Sequence, residues 1–151
     1  VLFEWLTANT TELDDDNEQS CVLRVLAGGQ SILVTGDLGQ KGEQALLARY
    51  GASLMSQILI LGHHGSTSSS SGGFLNTVAP DYAVASSGYA NQYRHPTAAV
   101  QSRVRAHEIK LLRTDYSGGM AFELGGNDEI FAGYLNKTKP YWQRKPFAEN
   151  K

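Results

Sequence analysis

Short β-branched and apolar runs recur along the chain, and each ends in turn residues or gives way to a helical pattern. That rhythm restricts the chain to a mixed strand-and-helix fold, strand-rich at first and alternating afterwards. Residues 1–7 read as a strand. Residues 20–27 alternate Cys21, Leu23 and Val25 against Val22, Arg24 and Leu26, and Gly28-Gly29 turns them into residues 31–35 as a hairpin. Ala45, Leu46, Leu47 and Tyr50 then fall at helical spacing over 43–50, with Gly51 placed as a C-terminal cap. Residues 57–61 and 82–85 are buried-strand runs on either side of a helical turn or two at 74–78. Pro96 is placed at the first turn of a helix running to about residue 107, and residues 109–112 return as a strand. Residues 120–124 and 129–134 close as a hairpin across Gly125-Gly126-Asn127-Asp128.

The 151 residues suit one domain, and a domain of this size buries about 68–70% of its unfolded surface. Its 41% apolar and 19% charged residues are those of an ordinary globular chain rather than a disordered one. A net charge of -2 and a pI near 6.1 exclude a protein that coats DNA through bulk positive charge. The lone Cys21 excludes an internal disulfide and a Cys-type zinc cluster, and its place in the alternating run reads as a small packed hydrophobe. No apolar run reaches the roughly 18–20 residues of a membrane span. Val1 opens abruptly in a strand-like run without a Lys/Arg-led signal sequence, which reads as a cut from a longer chain.

Three stretches stand apart from the strand and helix pattern. Acidic residues 14–18 read as a solvated loop in which Asn17 braces a turn, and the Ser/Gly tract at 66–73 reads as mobile. From Asn136 onward Lys137, Lys139, Arg144, Lys145 and Lys151 face a single acid, Glu149, with Tyr141, Trp142 and Phe147 interleaved. No repeat of 20 to 50 residues is visible, which excludes a solenoid.

Candidate chemistry lies where polar or titratable groups end apolar strands, at Gly36-Asp37, His63-His64-Gly65-Ser66 and Arg94-His95-Pro96. Divalent ions take carboxylate oxygen and neutral imidazole nitrogen, and a carboxylate can bridge two ions about 3.5–4 Å apart. Asp37 is the carboxylate candidate. Each segment also has a plain structural reading: Gly-Asp as a turn or N-cap, His63-His64 as a solvated or packed pair, Arg94-His95-Pro96 as a helix start. On an extended strand only one of His63 and His64 can face a metal, the other packing or bonding behind it. His107, at a helix end flanked by basic residues, is expected to be exposed and favoured by the helix dipole. No G-x-S-x-G elbow, P-loop or G-x-G-x-x-G is present, so a serine hydrolase or nucleotide-cofactor enzyme has no signature here.

Read in order, Asp16-Asn17-Glu18-Gln19-Ser20-Cys21-Val22-Leu23-Arg24, Ile32-Leu33-Val34-Thr35-Gly36-Asp37 and Ile58-Leu59-Ile60-Leu61-Gly62-His63-His64-Gly65-Ser66 resemble the metallo-β-lactamase-like domain of the ComEC family of DNA-uptake competence proteins. The likeness continues through Ser86-Ser87-Gly88-Tyr89-Ala90-Asn91-Gln92-Tyr93-Arg94-His95-Pro96 and Leu112-Arg113-Thr114-Asp115-Tyr116-Ser117-Gly118-Gly119, covering nearly all of residues 1 to about 125.

The resemblance implies an α/β (α+β) fold, the C-terminal portion of a metallo-β-lactamase-like αββα sandwich, over residues 1–135, with a basic and aromatic tail at 136–151. It implies a dinuclear zinc or manganese site in the full domain, with Asp37 as the bridging carboxylate and His63, or else His64, as a ligand. His95 would contact the phosphate or protonate the leaving oxygen, making Asp37 and His95 the catalytic pair, and Ser66, Ser87 and Asn91 would line the substrate. The family's other ligand motif, His-x-His/Asp-x-Asp-His followed by Gly-Gly, does not occur, and no His precedes residue 37. The expectation is therefore a fragment that lacks the three or four protein ligands of a tight zinc site and is inactive alone.

The implied function is metal-dependent hydrolysis of the DNA strand that is not transported during natural transformation. The implied partners are DNA, the N-terminal half of the domain, the transmembrane channel of the same protein and other competence proteins. The parent would sit in the bacterial inner membrane, with this domain soluble on the extracytoplasmic side. Two rivals stand beside this reading. One is a non-catalytic docking module whose tail holds single-stranded DNA by charge and stacking, and the other is a hydrolase of another phosphoester or a lactone.

Overall fold

The computed structural model of the chain describes residues 1–8 and 16–126 together with the backbone of 131–134. The basic and aromatic tail at 136–151 lies outside the described residues, as do residues 9–15, with the first part of the acidic stretch, and residues 127–130 of the closing hairpin.

Six strands form one sheet in chain order, β1 (Leu2–Leu6), β2 (Val22–Ala27), β3 (Gln30–Val34), β4 (Ile58–Ile60), β5 (Tyr82–Ala85) and β6 (Lys110–Arg113). β1, β2 and β3 pair antiparallel, and β3 through β6 pair parallel. The β2–β3 turn is the two-residue Gly28-Gly29 link, both at positive φ (55° and 81°), the backbone a tight hairpin demands. The parallel crossovers are carried by α1 (Gln40–Tyr50), α2 (Gly72–Val78) and α3 (Ala98–Ala106), with α4 (Thr114–Ser117) after β6. β7 (Met120–Glu123) pairs antiparallel with β8 (Phe131–Tyr134), the hairpin expected from the sequence. This is the mixed α/β class that the rhythm of the sequence implies.

One face of the sheet carries the core. Leu33, Leu59 and Ala83 are in register across β3, β4 and β5, and they pack with Leu46 of α1, Phe74, Leu75 and Val78 of α2, and Val100 and Val104 of α3. Each large apolar side chain buried there contributes about 1.5–3 kcal/mol relative to exposure. Successive strand residues point to opposite faces, so the other face presents two apolar rows. Ile32, Ile58 and Tyr82 form one and Val34, Ile60 and Val84 the other. At the sheet's edge Phe3 and Trp5 of β1 are 61% and 69% exposed. Among the described residues no helix is long and apolar enough to cross a membrane.

Several expectations are corrected by long-range polar contacts. The acidic stretch is not wholly solvated: Glu18, in a 3-10 turn over Asp16–Gln19, accepts the Gly42 N–H at 2.6 Å. A carboxylate there serves orphan donors at a helix start, and α1 begins at Gln40 rather than 43. Within the Ser/Gly tract Ser69 and Ser70 are packed, at 0% and 1% exposure. Buried Glu43 of α1 accepts the Ser70 and Ser71 N–H groups, and Arg103 of α3 donates to the Ser69 and Ser70 carbonyls at 2.8 and 2.6 Å. Cys21 is exposed and precedes β2 rather than lying within it. Pro96 is buried ahead of α3, whose N-cap is Thr97. His107 is half-buried at the C-cap of α3, its Nδ1–H donating to the Arg103 carbonyl at 2.8 Å.

Candidate active site

Because β3 to β6 run parallel, the loops that follow them lie side by side along one edge of the sheet. In open sheets of this kind ligands bind outside the carboxyl ends of the strands. Asp37 follows β3, His63 and His64 follow β4, the loop from Ser86 to His95 follows β5, and Thr114 follows β6.

The Asp37 loop turns at Gly36 (φ 57°), where Leu38 N–H returns to the Thr35 carbonyl. Ser20 Oγ accepts the Asp37 N–H at 3.2 Å. Thr35 Oγ1 donates to the Ile60 carbonyl at 2.8 Å, and His63 N–H donates to the Gly36 carbonyl at 3.0 Å. The Asp37 loop is thereby fixed relative to the histidine turn by backbone bonds and by the hydroxyls of Ser20 and Thr35.

The histidines do not continue β4 as a strand. Both take the left-handed conformation, φ 47° and 58°, inside a one-turn 3-10 segment over Gly62–Gly65. Strand alternation therefore does not apply, and the rings stand 6.4 Å apart, nearly edge to face. His64 Nδ1 lies 2.7 Å from the Ser86 carbonyl. A carbonyl only accepts, so Nδ1 carries the hydrogen and the other nitrogen is left to face outward. That nitrogen, Nε2, is 3.7 Å from Asp37 Oδ1, both side chains being about half exposed. It is His64, rather than the preferred His63, that the structure pairs with Asp37.

His63 is brought instead to His95, with ring centroids 5.9 Å apart and planes at 81°. The His95 loop is strapped to the histidine turn through Gly65. Thr97 N–H donates to the Gly65 carbonyl at 3.0 Å, and a Cβ built on Gly65 would meet Pro96 Cβ at 2.7 Å. Partial burial and the neighbouring His63 and His64 hold the His95 pKa below its ordinary 6.5. Its ring is therefore predominantly neutral at pH 7, a better proton acceptor than donor.

Two of the three expected lining residues, Ser66 and Asn91, have internal side-chain partners. Ser66 Oγ pairs with Ser68 Oγ at 3.1 Å. Asn91 spends its side-chain amide on the backbone of its own loop, at Gly88 and His95. Ser87 holds Thr114 through its main chain, while its Oγ is buried without a partner among the described residues. Tyr93, which the motif reading passed over, stacks on His95 with centroids 5.7 Å apart and planes at 29°. An aromatic two residues before a candidate histidine was the available signal. Arg113 is engaged at both ends of the Asp115 carboxylate, at 3.1 and 2.7 Å.

The donor set can be tested against a metal. Asp37 Oδ1 and His64 Nε2 form a two-donor face, but among the described residues no group of three or more His, Cys, Asp or Glu side chains could hold a metal ion. A tight zinc site uses three or four protein ligands. The described residues do not by themselves fit a resident metal.

No protein-family model matches the chain. It is 61% identical over 147 residues to Competence protein ComA of Neisseria gonorrhoeae, covering 97% of this chain and 21% of that protein. ComE operon protein 3 of Bacillus subtilis is 32% identical over 132 residues, 87% of this chain and 17% of the relative. Recombination protein 2 of Haemophilus influenzae is 35% identical over 116 residues, 77% and 14%. The chain thus spans about a fifth or less of the length of the curated relatives it matches, and over most of its own length it is similar to a segment of each.

Proposed function

We propose that this chain is part of a phosphodiester-hydrolysing domain that acts on DNA during competence-related uptake. The observation that carries the reading is the meeting of two pairs, Asp37 with His64 and His63 with His95, at the carboxyl edge of four parallel strands. The name of one relative, Competence protein ComA, supplies competence as the setting. The hydrolytic chemistry comes from the site and from the metallo-β-lactamase-like resemblance of its motifs. On the same reading the sheet is one half of an αββα sandwich, whose second half would cover the rows containing Ile32, Ile60 and Tyr82.

Within such a site the chain's own groups have separable tasks. The Ser86 carbonyl fixes His64 so that Nε2 and Asp37 Oδ1 present two Lewis-basic atoms to one point. His95, neutral near pH 7, accepts a proton from the attacking water or donates a hydrogen bond to a phosphate oxygen. Zinc or manganese, which the resemblance implies, would need donors beyond those described here.

The test is hydrolysis of a labelled oligonucleotide by the full-length protein, with and without chelator. Asp37→Ala, His64→Ala and His95→Ala are each expected to lower the rate at least about a hundredfold, the range for a positioned acid-base group. Undiminished hydrolysis in all three variants overturns the reading.

A further inference from the structure

Tyr93 is 69% exposed, yet it is a placed ring rather than a loose one. One face lies against the His95 imidazole at 5.7 Å and 29°, and His95 in turn meets the edge of His63. The backbone beneath is fixed by Asn91, which bonds His95 on both sides at 2.8 Å and accepts the Arg94 N–H on its carbonyl at 3.0 Å. Tyr89 and Arg94 of the same loop are also exposed. A short loop therefore holds an open aromatic face beside the candidate reacting groups, with a cation and a second aromatic residue exposed in the same loop.

Aromatic faces beside a cation are what single-stranded nucleic acid recognition uses: a base stacks on the ring and a guanidinium meets the adjoining phosphate. Stacking needs an unpaired base with a free π-face. In a duplex both faces of each internal base are already covered.

We propose that the outer face of Tyr93 is a nucleobase subsite, on which one unpaired base stacks so that the Tyr93–His95 column sets the neighbouring phosphodiester against the Asp37–His64 pair. This rests on the reading of the site as a phosphodiester hydrolase. Base identity matters little to such a subsite, because every base offers a face of similar chemistry.

The experiment measures the affinity of the full-length protein for fluorescein-labelled oligothymidylate and for a blunt-ended linear duplex at one fixed salt concentration, with hydrolysis followed in parallel. Wild type is expected to prefer the single strand. Tyr93→Ala is expected to weaken single-strand binding about tenfold, within the range for one stacked base, while leaving duplex affinity unchanged, and Tyr93→Phe to restore it. Equal single-strand affinity in wild type and Tyr93→Ala, or an equal loss on both probes, overturns the subsite. If Tyr93-dependent binding survives in a protein that hydrolyses nothing, the subsite is supported and the hydrolase reading alone falls.

Discussion

Asn91 and His95 bond each other twice: Asn91 Oδ1 accepts the His95 N–H and Asn91 Nδ2 donates to the His95 carbonyl, each at 2.8 Å. One side-chain amide thus satisfies both backbone groups of the residue carrying the central imidazole. Asn91→Ala leaves both to water and is expected to cost about 1–2 kcal/mol. It should also lower hydrolysis by more than its stability loss explains, because His95 and Tyr93 lose their position. Asn91→Asp keeps the acceptor and should fall between the two. Urea denaturation beside single-turnover rates checks this, and an Asn91→Ala rate equal to wild type contradicts it.

Gly65 is held at φ 84° with Pro96 Cβ in the space of its missing side chain. Gly65→Ala meets both a left-handed backbone and a clash, so a loss of about 1–3 kcal/mol is expected. The His95 loop should be displaced from the histidine turn at the same time. Thermal unfolding gives the first effect, and the His95 ring resonances give the second. Unchanged resonances would mean that the strap does not position the ring.

Burial pushes the pKa of Glu43 above the ordinary 4.5, against the opposing hydrogen bonds from Ser71 and Ser70 and the charge of Arg103. The folded chain therefore binds more protons at this group than the unfolded chain between pH 4.5 and the raised value. Its contribution to stability is complete below 4.5 and declines as pH rises through that window. Glu43→Gln is expected to remove this decline. At neutral pH it should also cost about 1–3 kcal/mol, because its NH₂ group faces a backbone N–H. Denaturation midpoints across acidic to neutral pH decide it, and identical pH slopes in the two proteins refute it.

Cys21 is the sole cysteine and is exposed. One equivalent of thiol should react with an aromatic disulfide reagent under native conditions, at a rate close to that in denaturant. Slow, unfolding-limited reaction would restore the packed position that strand alternation suggested.

How much of this was legible beforehand follows from the range of the interactions involved. The strand at 82–85 and the glycine hairpin at 28–29 are local, set by side-chain branching and positive φ, and they appear where the sequence places them. The start of α1 depends on Glu18, 24 positions from Gly42, and no local pattern announces that. The serine tract looked mobile because its composition is flexible, yet its partners Glu43 and Arg103 lie 27 and 33 residues from Ser70. At the site, Asp37, His64 and His95 were legible as residue types, but their pairing was not. Two successive histidines in a left-handed turn escape strand alternation, so no period-two pattern says which of them lies beside Asp37.

The serine strap has a mechanical consequence. Ser69 Oγ donates to the carbonyl of Gly62, where the histidine turn begins, while its neighbours are gripped by Glu43 from one helix and Arg103 from another. The imidazoles thus take their height above the sheet from a mount fastened to two helices. Glu43 and Arg103, side chains well along those helices, calibrate the edge where the histidines meet.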